Sequence, residues 1–317
     1  HLVWGLTTRR ISPTCDRIAR SPRHRQRQSI ASRVEFCDFR PMPRPFPDKY
    51  TLNHRRLEDG AVAFDCTQDS GVWPWLALPA IHPILVQTIN FWGSIDSGEF
   101  LGTFDPDAWT ALTQVEWTCG PPDVGLPAHG VYRTLPTADP NRAHYGLTFY
   151  DDADRLVADL SGQGVTFRTR NFEGWREDAK EKLKPPAATA FDYAPKDVVG
   201  VEAQSQSFLA PLSRGDSVAT TGLITKQNGL RPNHPYIGGS GDHVNSTHMG
   251  EIGRQFGQLL LGKPLINTSG EMIFTHYVEL GRPFEVELLG HDPSEAKFTL
   301  LVQQGERQCT QIMFQYM

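Results

Sequence analysis

Two helix-length apolar stretches, at about 76–95 and 247–261, constrain the fold of this chain more than any other feature. The first carries Ile84, Leu85, Val86, Ile89, Phe91 and Trp92. The second repeats Met249, Ile252, Phe256, Leu259 and Leu260 at spacings of three and four. Neither stretch has a broad polar face, so both sides of each must be covered by protein. Strand-like runs surround each of them in a similar order. The first is preceded by runs at 34–39, 49–53 and 61–64, and followed by 111–118, 130–135 with 145–150, and 155–168. The second is preceded by runs at 198–212 and 216–225 and a Gly/Pro/Asn-rich loop at 228–241. Runs near 271–278, 283–289 and 298–316 follow it.

A curved antiparallel sheet covers such a helix if it wraps around it and pairs edge to edge with a second unit of the same kind. The expected fold class is therefore α+β, a double hotdog of two curved antiparallel sheets, each wrapping a long central helix. A plain α+β domain remains open, and the long helices make a β-sandwich a poor fit. The expected organisation is an N-terminal hotdog unit at 34–174, a polar linker at 175–195 containing Pro185-Pro186, and a C-terminal unit at 196–317.

The chain has 317 residues, enough for a substantial core; 39% are hydrophobic and 21% charged, with a net charge of −5. No apolar run approaches the roughly 20 residues that span a bilayer, so no membrane partner is expected. The five cysteines are scattered without a CxxC pair. A reducing, cytoplasmic setting is expected rather than a disulfide framework or a thiolate zinc site. Residues 1–33 carry eight arginines against Asp16 alone. The expectation is a disordered or artificial extension, since nothing downstream resembles a base-reading module and the remainder is acidic; no nucleic-acid partner is expected.

The candidate site lies at 241–256. Asp242 and His243 sit in a Gly-rich loop, Asn245 and His248 at the helix start, and Glu251, Arg254 and Gln255 three and four residues apart on the apolar helix. Charges beside a buried stripe are unfavourable unless paired or used. A helix N-terminus offers free N–H groups to polarise a carbonyl. His243 or His248 would then serve as base, Glu251 as acid, base or water holder, and Arg254 would fix Glu251 or hold a phosphate. Asp242, Asn245, Gln255 and, from the first half, His82 are the expected substrate-binding residues.

Plainer roles also fit: Glu251 at a helix start is favoured by the dipole, Arg254 simply pairs with it, and the histidines and Asp242 cap turns. His234, Asp242, His243 and His248 lack a recognised metal-ligand spacing, so no metal is expected. The glycines at 238–241 form no dinucleotide fingerprint, and no cofactor is expected. The first helix, with Gln87, Thr88 and Asn90 as its polar groups, has no acid at the position matching Glu251.

Asp242-His243-Val244, followed by Glu251 and Arg254-Gln255, resembles the signature of the A-factor biosynthesis (AfsA-like) hotdog proteins. His82-Pro83-Ile84-Leu85-Val86 is similar to the helix start of that family's first repeat. Arg155-Leu156-Val157-Ala158 with Gly164-Val165 and Phe167 is similar to the strand closing it. The chain departs at Asn245-Ser246-Thr247-His248 and at Thr88, where the family has an acid. Pro74-Trp75 also resembles the opening of hotdog dehydratase domains of polyketide and polyunsaturated fatty acid synthases.

The resemblance implies an acyl-thioester enzyme of secondary metabolism that transfers a β-ketoacyl group from acyl-carrier protein or CoA to a small hydroxylated acceptor such as dihydroxyacetone phosphate. Glu251 and Arg254 would be its functional pair, in a monomeric pseudo-dimer or a homodimer. The alternatives are a β-hydroxyacyl dehydratase or isomerase using a histidine and a carboxylate, and a non-catalytic acyl-binding scaffold.

Overall fold

The structure, a computed structural model, describes residues 49–105, 108–139, 141–167, 172–183, 190–201, 206–225, 228 and 243–317. The Arg-rich stretch, the expected strand at 34–39, His234, the glycines at 238–241 and Asp242 lie outside the described residues.

Strands β1 (Thr51–Arg56) and β2 (Val62–Cys66) precede a single 3-10 turn (Pro74–Ala77) and the helix α1 (Pro83–Leu101). Then come β3 (Trp109–Cys119), β4 (His129–Thr134), β5 (Arg142–Tyr150), β6 (Leu156–Phe167) and a short helix, α2 (Phe172–Glu181), which runs into the stretch read as linker. The second half has β7 (Ser213–Arg214), β8 (Val218–Gly222), β9 (His243–Val244) and the helix α3 (Ser246–Leu261). It ends with β10 (Asn267–Phe274), β11 (Val278–Glu279), β12 (Phe284–Asp292), β13 (Lys297–Gln304) and β14 (Arg307–Tyr316).

The molecule is α+β, with a mostly antiparallel sheet. Twelve strands form one continuous sheet in the order β1-β2-β4-β5-β6-β3-β10-β14-β13-β12-β8-β7, and β9 and β11 form a separate pair. Outward from the central β3–β10 pair the two arms carry corresponding strands: β6, β5, β4, β2, β1 on one side and β14, β13, β12, β8, β7 on the other. The seam runs antiparallel from Ser269↔Thr118 to Ile273↔Gln114. Trp117 Nε1 donates across it to Asn267 Oδ1 at 2.7 Å, and Asn267 Nδ2 donates to the Ser269 and Gln315 carbonyls.

Helix α1 begins later than the apolar run, because Pro79 and Pro83 disfavour helix before them; Pro83 itself suits the first helical position, where no N–H partner is needed. It buries Ile84, Leu85, Val86, Ile89 and Trp92 together with Gln87, Thr88 and Asn90. It stops at Gly102, whose φ of 69° forms the left-handed cap. Helix α3 stops in the same way at Gly262, φ 65°. The two helices pack on each other. Their crossing is close because α3 supplies Gly250: an added Cβ there would lie 3.3 Å from Pro83 Cβ and 3.3 Å from Gln87 Cγ.

Two expectations fail locally. Among the described residues of the run at 198–212, only Leu209 makes a sheet bridge, to Gly222, and the Phe208 N–H is taken by a side chain of α3. The run at 298–316 is two strands, turned at Gly305, whose φ of 63° suits glycine.

Candidate active site at the crossing of two helices

Asn245 caps α3. Its Oδ1 accepts from the His248 N–H at 3.2 Å, and His248 Nδ1 accepts from the Asn245 N–H at 3.2 Å, closing a reciprocal box. His248 is therefore a capping residue with one ring nitrogen engaged. Burial, and secondarily the neighbouring His243, pushes its pKa down to about 3, so the ring is neutral. His243 lies in β9, opposite Glu279 of β11, and sets its ring edge-on to Tyr277, with centroids 4.7 Å apart.

Glu251, one helical turn beyond the cap, is wholly buried. Arg254 grips it with one edge of the guanidinium: Nε donates to Oε2 at 2.8 Å and Nη2 to Oε1 at 2.7 Å. Gln255 Nε2 donates to Oε1 at 2.9 Å. Burial pushes the Glu251 pKa up, but the Arg254 charge and hydrogen bonds, His82 and Gln255 outweigh it, and the net shift is downward. The carboxylate is ionised.

Arg254 also donates from Nη1 to Gln258 Oε1 at 3.2 Å and from Nη2 to the Val199 carbonyl at 3.1 Å. Gln255 Oε1 accepts from the Phe208 N–H, and its Nε2 also donates to the Gln206 carbonyl at 2.8 Å. The Glu-Arg-Gln set thus ties α3 to the backbone at Val199, Gln206 and Phe208. Beside it lies a groove of about 330 Å³ lined by Tyr193, Pro195, Lys196, Gln206, Ser207 and Asn228.

The other half supplies His82, the cap of α1. Its Nδ1 accepts from the Ile84 N–H at 3.2 Å, which leaves the ring proton on Nε2. Nε2 has no hydrogen-bond partner among the described residues and lies 3.9 Å from Glu251 Oε2. Burial lowers the His82 pKa to about 4, against the opposing pull of Glu251 and with a smaller contribution from Arg254. The first helix thus aims a neutral imidazole N–H at the carboxylate of the second.

Of the expected site residues, the structure brings Glu251, Arg254, Gln255 and His82 together. Asn245 and His248 form the cap, and His243 packs on Tyr277. Gln258 and the Val199, Gln206 and Phe208 backbone groups were not foreseen; the i+4 spacing of Arg254 and Gln258 was the one available signal.

No protein-family model matches the chain, and no curated protein does. Among solved structures, an acyl-ACP thioesterase from Bacteroides thetaiotaomicron is similar at 10% identity and a TM-score of 0.48, over 74% of this chain and 89% of that one. The 12:0-ACP thioesterase from Umbellularia californica has 10% identity and a TM-score of 0.45, with coverage of 74% and 89%. The dehydratase domain from the CurJ module of Curacin polyketide synthase has 10% identity and a TM-score of 0.46, with coverage of 84% and 95%.

Proposed function

We propose that this chain is a double hotdog that acts on acyl thioesters of a carrier protein or CoA, with the reacting carbonyl alongside the His82–Glu251 pair. The observation that carries the reading is the 3.9 Å approach of His82 Nε2 to Glu251 Oε2, two buried groups from opposite halves whose remaining capacity is aimed at one point. A neutral imidazole N–H is a donor for a carbonyl oxygen, and an ionised carboxylate beside it is a base. Arg254 and Gln255 occupy Oε1, while among the described residues Oε2 receives only Arg254 Nε and keeps a lone pair for substrate.

The pair serves elimination directly. Glu251 takes the Cα proton of a β-hydroxyacyl thioester, and His82 Nε2–H steadies the enolate oxygen. The β-hydroxyl then leaves with the proton returned from Glu251, giving an enoyl thioester and water. Acyl transfer to a phosphorylated acceptor would instead ask Arg254 to hold the phosphate, yet its guanidinium already serves Glu251, Gln258 and Val199. This engagement favours dehydration or isomerisation over AfsA-like transfer; a non-catalytic acyl-binding scaffold is the reading that inactivity would leave.

Incubation with a β-hydroxyacyl thioester should produce enoyl absorbance. A phosphorylated ester formed from a β-ketoacyl thioester and dihydroxyacetone phosphate would favour transfer instead. Glu251→Gln should lower turnover at least about 100-fold with folding intact, as for loss of a general acid or base. His82→Asn keeps an acceptor for the Ile84 N–H while deleting Nε2, and should lower turnover about tenfold or more. Near-normal rates in both variants would remove this pair from the chemistry.

A further inference from the structure

Gln87 stands five residues after its helix cap, as Gly250 does in α3, and the two meet where the helices cross. The glycine leaves room, and the Gln87 side chain lies against it, next in sequence to Glu251. Gln87 is 0% exposed, and neither its Oε1 nor its Nε2 has a hydrogen-bond partner among the described residues. A carboxamide shut away in this state is unfavourable, and a partner-free one needs an explanation. A methionine or leucine would fill the same space without that penalty.

The orphaned amide needs one partner that both donates and accepts. A hydroxyl does so with a single atom, accepting from Nε2–H and donating to Oε1. A ketone only accepts, and a methylene does neither; both would leave Oε1 unpaired. We propose that Gln87 is a specificity-determining residue that holds a hydroxyl group of the molecule being processed. That hydroxyl comes either from the β-carbon of the acyl chain or from a hydroxylated acceptor. The inference rests on the acyl-thioester reading and narrows its substrate to a hydroxyl-bearing one.

The test uses unreactive thioether analogues of 3-hydroxyacyl-, 3-ketoacyl- and unsubstituted acyl-pantetheine, measured by isothermal titration with the whole chain. The wild type should prefer the 3-hydroxyacyl analogue over the unsubstituted one by about tenfold, the size of one buried neutral hydrogen bond, and Gln87→Met should erase that preference. If the preference appears instead for dihydroxyacetone phosphate in the presence of the 3-ketoacyl analogue, and is lost in Gln87→Met, the hydroxyl belongs to the acceptor. The variant should melt at the same temperature as the wild type or higher, since an unpaired buried amide is removed; a marked drop would make Gln87 structural and overturn the inference. Equal wild-type binding of all three analogues without a Gln87-dependent acceptor preference, or unchanged preferences in Gln87→Met, overturns it alone. Failure to bind any analogue overturns the acyl-thioester reading as well.

Discussion

A histidine that caps a helix through one ring nitrogen has only the other to offer to chemistry. His82 and His248 both do this, one for each long helix, but His82 directs its free N–H at Glu251. Both rings are held neutral by burial, with pKa values of about 4 and about 3, against about 6.5 in an unfolded chain. Below pH 6.5 the unfolded chain takes up protons that the folded chain refuses, so stability present above that pH is lost as it falls. Each ring contributes up to about 1.4 kcal/mol per pH unit, between 6.5 and about 4 for His82 and on to about 3 for His248. The lowered Glu251 pKa acts in the same direction at lower pH. Urea titrations from pH 7 to 4.5 should show a steep loss of stability, and His82→Asn should flatten it by about one proton's worth; an unchanged slope would mean that the ring is charged when folded. Glu251, Arg254 and Gln255 were legible in the sequence as a polar set on an apolar helix. Their saturation was not, because the partners are backbone groups 47 to 55 residues away whose conformation no local pattern specifies.

At the scale of elements, α2 shows how a segment with a polar composition can still be docked. Arg176 is buried, donates to Glu279 Oε2 at 2.9 Å, and sets its guanidinium 4.0 Å over the Tyr277 ring. The same Tyr277 carries the His243 ring, so α2 braces the β9–β11 pair just ahead of α3. Arg176→Met would take the guanidinium away from the buried Glu279 carboxylate and should destabilise the chain by about 3–5 kcal/mol in chemical denaturation. The double variant with Glu279→Leu should recover part of that loss; equal losses would show that the charges do not act as a pair. A stretch rich in Glu and Lys with Pro185-Pro186 reads as linker because charge usually marks solvated chain, and the partners of Arg176, Tyr277 and Glu279, lie about 100 residues away. The long helices were easier to read because periodicity and caps are local properties. The strand expected at 198–212 is reduced, among its described residues, to one bridge with β8 at Leu209, because the neighbouring Phe208 N–H and Gln206 carbonyl meet the Gln255 side chain of α3.

At the scale of the whole molecule, the seam between β3 and β10 makes the two arms one continuous sheet. Asn267, 2% exposed, is its polar fastening: it accepts from Trp117 and donates to two carbonyls. Asn267→Ala should leave the Trp117 N–H and those carbonyls short of partners and destabilise the fold by about 2 kcal/mol or more. A loss under about 0.5 kcal/mol, measured by thermal or urea unfolding, would show that the ladder alone holds the seam. The matching strand order of the two arms was visible in the order of strand-like runs around two apolar helices. The register of the seam was not, since a one-residue slip is fixed only by packing on both faces. Because the arms belong to one chain, a substitution changes one side and leaves its counterpart untouched, which a pair of identical subunits cannot do. Thr88 and Glu251 occupy matching positions, as do Gln87 and Gly250. One polypeptide can thus set a donor on one helix against an acceptor on the other, a division of labour that strict two-fold symmetry forbids.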